Sequence, residues 1–179
     1  MAQGAVVHQF TVQLADVDRN VYADLDLRLA RHPSETAEYM LTRLLAFCLE
    51  QREGLAFTDG IAAPDEPAVI ARDLTGRVTA WIEVGAPDAA RLHRAAKQAP
   101  RVAVYTHRDL APLLAQLAGG KIHRAAEIPF YAPGRAFLAE AAAAIDRRNT
   151  VSLSRTESQL YLDLNGRSFG VALEEGRLS

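Results

Sequence analysis

Apolar and polar positions alternate strictly over residues 5–14, with Val6, His8, Phe10, Val12 and Leu14 on one face and Gln9, Thr11 and Gln13 on the other. The same period of two returns over residues 21–30, where Val21, Ala23, Leu25, Leu27 and Leu29 oppose Tyr22, Asp24, Asp26 and Arg28. Joined by the polar link Asp16-Val17-Asp18-Arg19-Asn20, these stretches predict a β-hairpin. His8, on its inward face, reads as a hydrogen-bonded core or edge histidine rather than a ligand. The period then lengthens. Pro33 suits a first helical position and Glu35 a first turn, and Met40, Leu41, Leu44, Leu45 and Cys48 recur at helical spacing to about Arg52, before Gly54. A short strand is expected at Leu55 to Thr58 and a loop from Asp59 to Pro64. Residues 64–84 predict a second hairpin about Asp73-Leu74-Thr75-Gly76, apolar on both faces and therefore covered on both sides. Its first strand is expected to open at Asp65 and Glu66, and its turn to pair Arg72 with Arg77. A helix from Pro87 and Asp88 to about Gln98 follows, burying Leu92, Ala95, Ala96 and Ala99, and then a strand from Val102 to Tyr105.

Beyond it the sequence predicts a helix over 109–118, an irregular stretch from Lys121 to Ala132 and an alanine-rich helix from Pro133 to about Asp146. Three strands are expected at Thr150–Ser154, Ser158–Leu164 and Ser168–Leu173. Asn165-Gly166 between the last two is a strong type I′ hairpin signal. The expected architecture is α/β, in the α+β sense: a mixed β-sheet flanked by helices, with N- and C-terminal hairpins added in one domain.

Composition narrows the function classes. The chain has 179 residues and a formal charge of -2, so no global basic balance points to nucleic acid, although a local patch still binds phosphates when its face is basic. Lys97 and Lys121 are the only lysines; arginine carries the remaining positive charge. Cys48 stands alone in an apolar helical pattern, which predicts a buried thiol and neither a disulfide framework nor a cysteine zinc site. His32, His93, His107 and His123 show no metal-binding spacing. No hydrophobic leader and no apolar run near the ~20 residues of a membrane span is present, so a cytoplasmic protein without membrane contact is expected, monomeric by default.

Candidate chemistry gathers on the second hairpin. Counting back from its turn sets Glu66 opposite, or one place from, Glu83. Directly opposed side chains have Cβ atoms ~5 Å apart, where like charges repel. Two carboxylates so close call for a cation or a shared proton between them. From residue 33 to residue 106 the predicted order is helix, strand, strand, strand, helix, strand, which resembles the core of PD-(D/E)XK nucleases.

A more specific resemblance rests on Arg-His-Pro-Ser-Glu-Thr at 31–36, Asp-Glu-Pro at 65–67, Trp-Ile-Glu-Val-Gly at 81–85, Pro-Asp at 87–88 and Tyr-Thr at 105–106. Together these motifs resemble the YaeQ family over nearly the whole chain. The resemblance implies a nuclease-like fold with extra strands and leaves the activity open. It implies metal ligation of Mg or Mn by Asp65 or Glu66 with Glu83, catalysis by Glu66, Glu83 and Arg94, and phosphate binding by Arg91, Arg94 and Lys97. One departure matters: the nuclease motif has lysine two residues past the acid, and here that residue is Gly85. Arginine deprotonates far less readily than lysine, so phosphate clamping survives this change better than base catalysis.

Each residue also has a structural reading. Asp65 and Glu66 are loop acids before Pro67. Glu35 is a first-turn helix acid opposite the apolar stripe, and Glu38 flanks that stripe and reaches inward in the functional reading. Asp88 is a helix N-terminal charge, Arg72 forms a strand-end ion pair with Asp73, and Arg91, Arg94 and Lys97 are a solvated helix face. In the functional reading Glu35, Glu38, Asp88 and Arg72 support the site from behind. Three functions follow: a divergent metal-dependent nuclease or phosphodiesterase acting on nucleic acid; an inactive nuclease-fold module binding nucleic acid or a protein partner; or a protein whose acid pair is structural.

Overall fold

The computed structural model describes residues 4–59 and 63–179; residues 60–62 of the expected 59–64 loop lie outside the described residues. Among the described residues the fold has two mixed β-sheets and four α-helices. The first hairpin forms as expected, β1 (Val6–Asp16) antiparallel to β2 (Val21–Arg31), with Phe10 against Leu27 and Val12 against Leu25. At the far end of the chain β8 (Arg148–Thr156), β9 (Gln159–Leu164) and β10 (Arg167–Ala172) form an antiparallel meander. Asn165 and Gly166 both have positive φ in its turn, 53° and 84°, as a type I′ turn requires. The terminal hairpins are not independent additions. β8 pairs in parallel with β1, Val12 beside Val151, giving one five-stranded sheet ordered β10-β9-β8-β1-β2.

The second sheet holds the sequence core. Helix α1 (Ala37–Leu49), β3 (Leu55–Phe57), β4 (Val69–Arg72), β5 (Val78–Val84), α2 (Ala89–Gln98) and β6 (Arg101–Tyr105) follow in the expected order. After α3 (Leu110–Leu117) and a 3₁₀ turn at Ala125–Glu127, the stretch expected to be irregular supplies β7 (Phe130–Ala132), parallel to β6. Helix α4 (Arg135–Ala142) is shorter than expected, and a last strand, β11 (Glu174–Gly176), pairs with β7. The six strands are ordered β11-β7-β6-β5-β4-β3.

The alternation of β5 explains the layers. Ala80, Ile82 and Val84 join a core with α1, α4 and the inner face of the five-stranded sheet. Trp81 joins a second core with Leu92, Ala95 and Ala96 of α2 and Leu110, Leu113 and Leu117 of α3. Helices α1 and α4 thus sit between the sheets, and α2 and α3 cover the other face of the six-stranded one. Cys48 is fully enclosed in α1, and burial pushes its thiol pKa up to about 12. His8 is buried with its Nδ1 2.8 Å from the Asp146 carbonyl, as expected of a core histidine.

Three local expectations are corrected. Helix α1 starts later than Pro33: Thr36 is the N-cap, its hydroxyl accepting from the Tyr39 amide at 3.1 Å. Glu35 therefore precedes the helix, and it is buried rather than turned away from the core. It accepts from Nη1 of buried Arg43 at 3.0 Å and from the His32 amide at 3.3 Å. The turn of the second hairpin is one residue longer than expected, with the Asp73 amide on the Arg77 carbonyl, so Arg72 pairs with Val78 instead of Arg77, and a bulge between Ala71 and Arg72 then sets Ala71 beside Ala80. Its Arg72–Asp73 ion pair does not form: the Asp73 carboxylate accepts from the Thr75 hydroxyl at 2.6 Å and the Thr75 and Arg77 amides. The Thr75 hydroxyl first, with those amides, holds its pKa below the usual carboxylate range.

Candidate functional site

Strand β5 delivers Glu83 to the sheet end where α2 begins. The two carboxylates expected to face each other do not. The β4–β5 ladder ends at Val69 beside Ile82, and Asp65 and Glu66 lie in an exposed turn closed by the Glu66 amide on the Ala63 carbonyl. What joins that turn to Glu83 is Arg91. Its Nε donates to Glu83 Oε1 at 2.7 Å, its Nη2 to the Glu66 carbonyl at 2.6 Å, and its Nη1 to the Pro64 carbonyl. The Glu66 backbone, rather than its carboxylate, is therefore held at the site. Asp88 caps α2 as expected, accepting from the Arg91 amide at 2.8 Å, and so fixes the turn from which Arg91 reaches across.

Glu83 is 4% exposed. Its Oε1 also accepts from Trp81 Nε1 at 2.6 Å, possible because residues two apart on a strand share a face. Burial raises the Glu83 pKa above the ordinary carboxylate value, and the Trp81 and Arg91 contacts only partly oppose it. The carboxylate lines a cleft of about 270 Å³ with Tyr39, Glu66, Ala68, Val84 and Arg91. Tyr39, from the first turn of α1, donates its hydroxyl to the Val84 carbonyl at 3.3 Å, and burial raises its phenol pKa. Glu38, half-buried in the same turn, holds α1 through its carbonyl, which accepts from the Thr42 hydroxyl at 2.8 Å.

Gly85 has a structural cause. Its φ is +111°, and its amide donates to the Tyr105 carbonyl at 2.9 Å. A Cβ would meet nothing closer than Tyr39 at 3.5 Å, so conformation rather than crowding calls for glycine. Arg94 and Lys97 lie exposed one and two turns along α2 from Arg91, and neither forms an ion pair among the described residues. Burial, with Lys97, Lys121 and His123 nearby, holds the His93 imidazole below its ordinary pKa. Arg72, at the opposite end of β4, is exposed and remote in register from Glu83.

Sequence reasoning missed Tyr39 and His107. The His107 ring meets Tyr39 edge-on at 5.4 Å, its buried Nδ1 takes no hydrogen bond among the described residues, and burial lowers its pKa. It opens on a second cleft of about 480 Å³ that meets the first at Ala86. Neither residue carries a local signal; they meet only because α1 and the end of β6 converge.

The donor set does not fit a ready divalent metal. Among the described residues no group of three histidine, cysteine, aspartate or glutamate side chains is placed to hold one. One Glu83 oxygen is already shared by an indole and a guanidinium.

The model of the family described as YaeQ protein matches residues 1–173. The chain is 45% identical over 111 residues to a protein of Escherichia coli K12 described as uncharacterized protein YaeQ, the match covering 62% of this chain and 61% of the relative. Its counterpart in Salmonella typhi is 43% identical over the same length. These matches span about three fifths of the relatives' length. The crystal structure of the YaeQ protein from Pseudomonas syringae matches with a TM-score of 0.85 and 30% identity over 96% of this chain and 95% of that one. That of Xanthomonas axonopodis pv. citri gives a TM-score of 0.90 at 27% identity, covering 98% and 99%. The chain belongs to the YaeQ family.

Proposed function

We propose that this chain is a nucleic-acid-binding module on a nuclease-like frame, in which Arg91 takes the place of a bound metal beside Glu83. The observation that carries this reading is the Arg91 guanidinium itself. It neutralises the buried acid and ties down the 64–66 turn, the two tasks a cation would have there. Gly85, where the nuclease motif has lysine, points the same way. With Arg91 committed inward, Arg94 and Lys97 on the outer side of α2 are the groups that meet a phosphodiester backbone. Arg94 forms a bidentate contact and Lys97 a point-charge contact.

The test is fluorescence anisotropy of labelled DNA and RNA oligonucleotides, single- and double-stranded, over a salt series. Each phosphate contact on duplex DNA contributes about 0.9 to the slope of log affinity against log salt. Arg94→Gln/Lys97→Gln should lower that slope by about 2. Absence of binding, or binding indifferent to salt, would overturn the reading.

Metal-dependent hydrolysis is the second reading. Its support is Glu83 Oε2, which takes no hydrogen bond among the described residues, while the side chain keeps 6% exposure on the cleft that Glu66 also lines. It requires Arg91 to leave. Melting of the parent, Glu83→Gln and Arg91→Ala with Mn²⁺ or Mg²⁺ separates the readings. A site filled to about a hundred times its dissociation constant adds about 2.7 kcal/mol. Stabilisation of the parent that vanishes in Glu83→Gln would favour hydrolysis.

A further inference from the structure

On the other face of the six-stranded sheet, where it meets the five-stranded one, lies a cleft of about 410 Å³ lined by Arg19, Arg52, Arg101 and Arg155. The four come from four places: the β1–β2 turn, the end of α1, the start of β6, and β8. Two buried acids draw them together. Asp16, fully buried, takes Arg155 in a bidentate pair, Nε to Oδ1 at 3.0 Å and Nη2 to Oδ2 at 2.5 Å. Glu50, 2% exposed, takes Arg101 the same way at 3.0 and 2.8 Å, Arg52 Nη2 at 3.0 Å and the Tyr105 hydroxyl at 2.6 Å. The Arg19 amide donates to Asp16 Oδ1 at 3.2 Å, while its guanidinium meets no carboxylate among the described residues and donates to the Leu49 and Gln51 carbonyls at the C-terminal end of α1.

Arg52, Arg101 and Arg155 use the Nε and Nη2 edge of the guanidinium in these contacts, whereas Arg19 uses Nη1 and Nη2. Nη1 of Arg52 and Nη1 of Arg155 take no hydrogen bond among the described residues. The remaining acids at the rim are also engaged. Asp18 accepts from the Glu157 and Ser158 amides at 2.7 and 2.9 Å, and Glu175 leans on Arg177 at 3.5 Å. Arg52 sits among like charges: burial lowers its pKa, Glu50 opposes this, and Arg19 and Arg101 add repulsion. An anion among the outer edges would relieve that repulsion. Donors arriving from separate directions suit the tetrahedral oxygens of a phosphate better than a planar carboxylate.

We propose that this cleft is a second binding site, independent of the Glu83 cleft, for a phosphate group carried free or as a small monoester. Arg52 and Arg155 grip it with their Nη1 groups, and Arg19 and Arg101 complete the cradle. The test is titration of the purified chain with inorganic phosphate and, separately, methyl phosphate, at constant ionic strength against chloride. Melting temperature and calorimetric heat are the readouts. Saturable stabilisation by phosphate is expected; addition by methyl phosphate assigns a monoester, and phosphate alone assigns the free anion. Arg52→Gln should weaken binding about tenfold or more, since it removes one charged donor. It should fold, because Glu50 keeps Arg101 and Tyr105. Arg52→Lys, which keeps the charge and loses the fork, should fall between. Arg94→Gln/Lys97→Gln should leave the titration unchanged, which separates this site from the α2 surface. No saturable effect of phosphate, an equal effect of acetate, or full binding by Arg52→Gln would overturn the proposal.

Discussion

Replacing Arg91 with alanine strips Glu83 of the one guanidinium that pairs with it among the described residues and frees the turn at 64–66. Breaking a buried pair by removing one partner costs about 3–5 kcal/mol, because the other charge is left uncompensated. Two features reduce that figure here. The Arg91 side chain is 25% exposed, so water partly replaces it, and Trp81 still donates to Oε1. The two carbonyl contacts lie on an exposed turn, where water substitutes for them. The expected loss is about 2–3 kcal/mol at neutral pH, or roughly 5–10 °C in melting temperature for a chain of this size. The loss should also depend on pH. Burial already raises the native Glu83 pKa, so the parent loses stability as pH climbs from the ordinary carboxyl value through the native one. Without Arg91, which opposes that rise, the native value moves higher still and the falling window extends toward neutrality. The penalty should therefore be largest where Glu83 is ionised in both proteins and shrink as pH falls and the carboxyl takes up a proton. Urea unfolding of both proteins from pH 4.5 to 8 measures this directly. A loss below about 1 kcal/mol, or one that stays flat across the series, would refute the assignment of Arg91 as the counter-cation of a buried carboxylate.

The Asp16–Arg155 pair lets the same logic be tested away from the site. Asp16→Ala should cost about 3–4 kcal/mol by urea unfolding, toward the lower end of the buried-pair range because Asp18 remains 3.8 Å from Arg155; Asp16→Leu/Arg155→Leu should recover most of it. Gly85→Lys should lose about 1–3 kcal/mol in the same assay, since a side chain is forced to a φ of +111°. The Cys48 thiol should react with a disulfide reagent only as fast as the chain unfolds, because burial holds its pKa near 12 and encloses the sulfur.

Periodicity made the individual elements legible, because each depends on neighbours a few residues away. Val6 to Leu14, the Met40 to Cys48 stripe and the Asn165-Gly166 turn all declare themselves locally. Pairing between distant segments is not declared. The parallel match of Val12 with Val151 joins two hairpins that look complete by themselves. Phe130–Ala132 is too short to show a period and becomes a strand only because β6 offers it an edge. Register failed for a different reason: the turn pairs Arg72 with Val78, the bulge at Ala71/Arg72 shifts the ladder once more so that Val69 meets Ile82, and pairing ends there, so Glu66 never faces Glu83. Glu35 was misplaced by starting the helix at Pro33; once Thr36 caps it, Glu35 is free to turn inward onto Arg43. The four-arginine cleft was illegible because its organisers, Asp16 and Glu50, are single acids at the ends of apolar runs.

Glu83, Gly85 and Arg91 make sense as a set. Gly85 turns the backbone at a positive φ just after β5, with its amide on the Tyr105 carbonyl, and a lysine there would have to adopt a conformation L residues avoid. A cation for Glu83 therefore has to come from elsewhere, and the nearest rigid element is the first turn of α2, fixed by the Asp88 cap. From that turn Arg91 spans the cleft and reaches both Glu83 and the backbone of the 64–66 turn. An arginine so placed is always charged and already spends three groups of donors on the protein, so it steadies the acid without surrendering a proton. That chemistry fits the binding role proposed above, in which Arg94 and Lys97 rather than Glu83 would meet the phosphates.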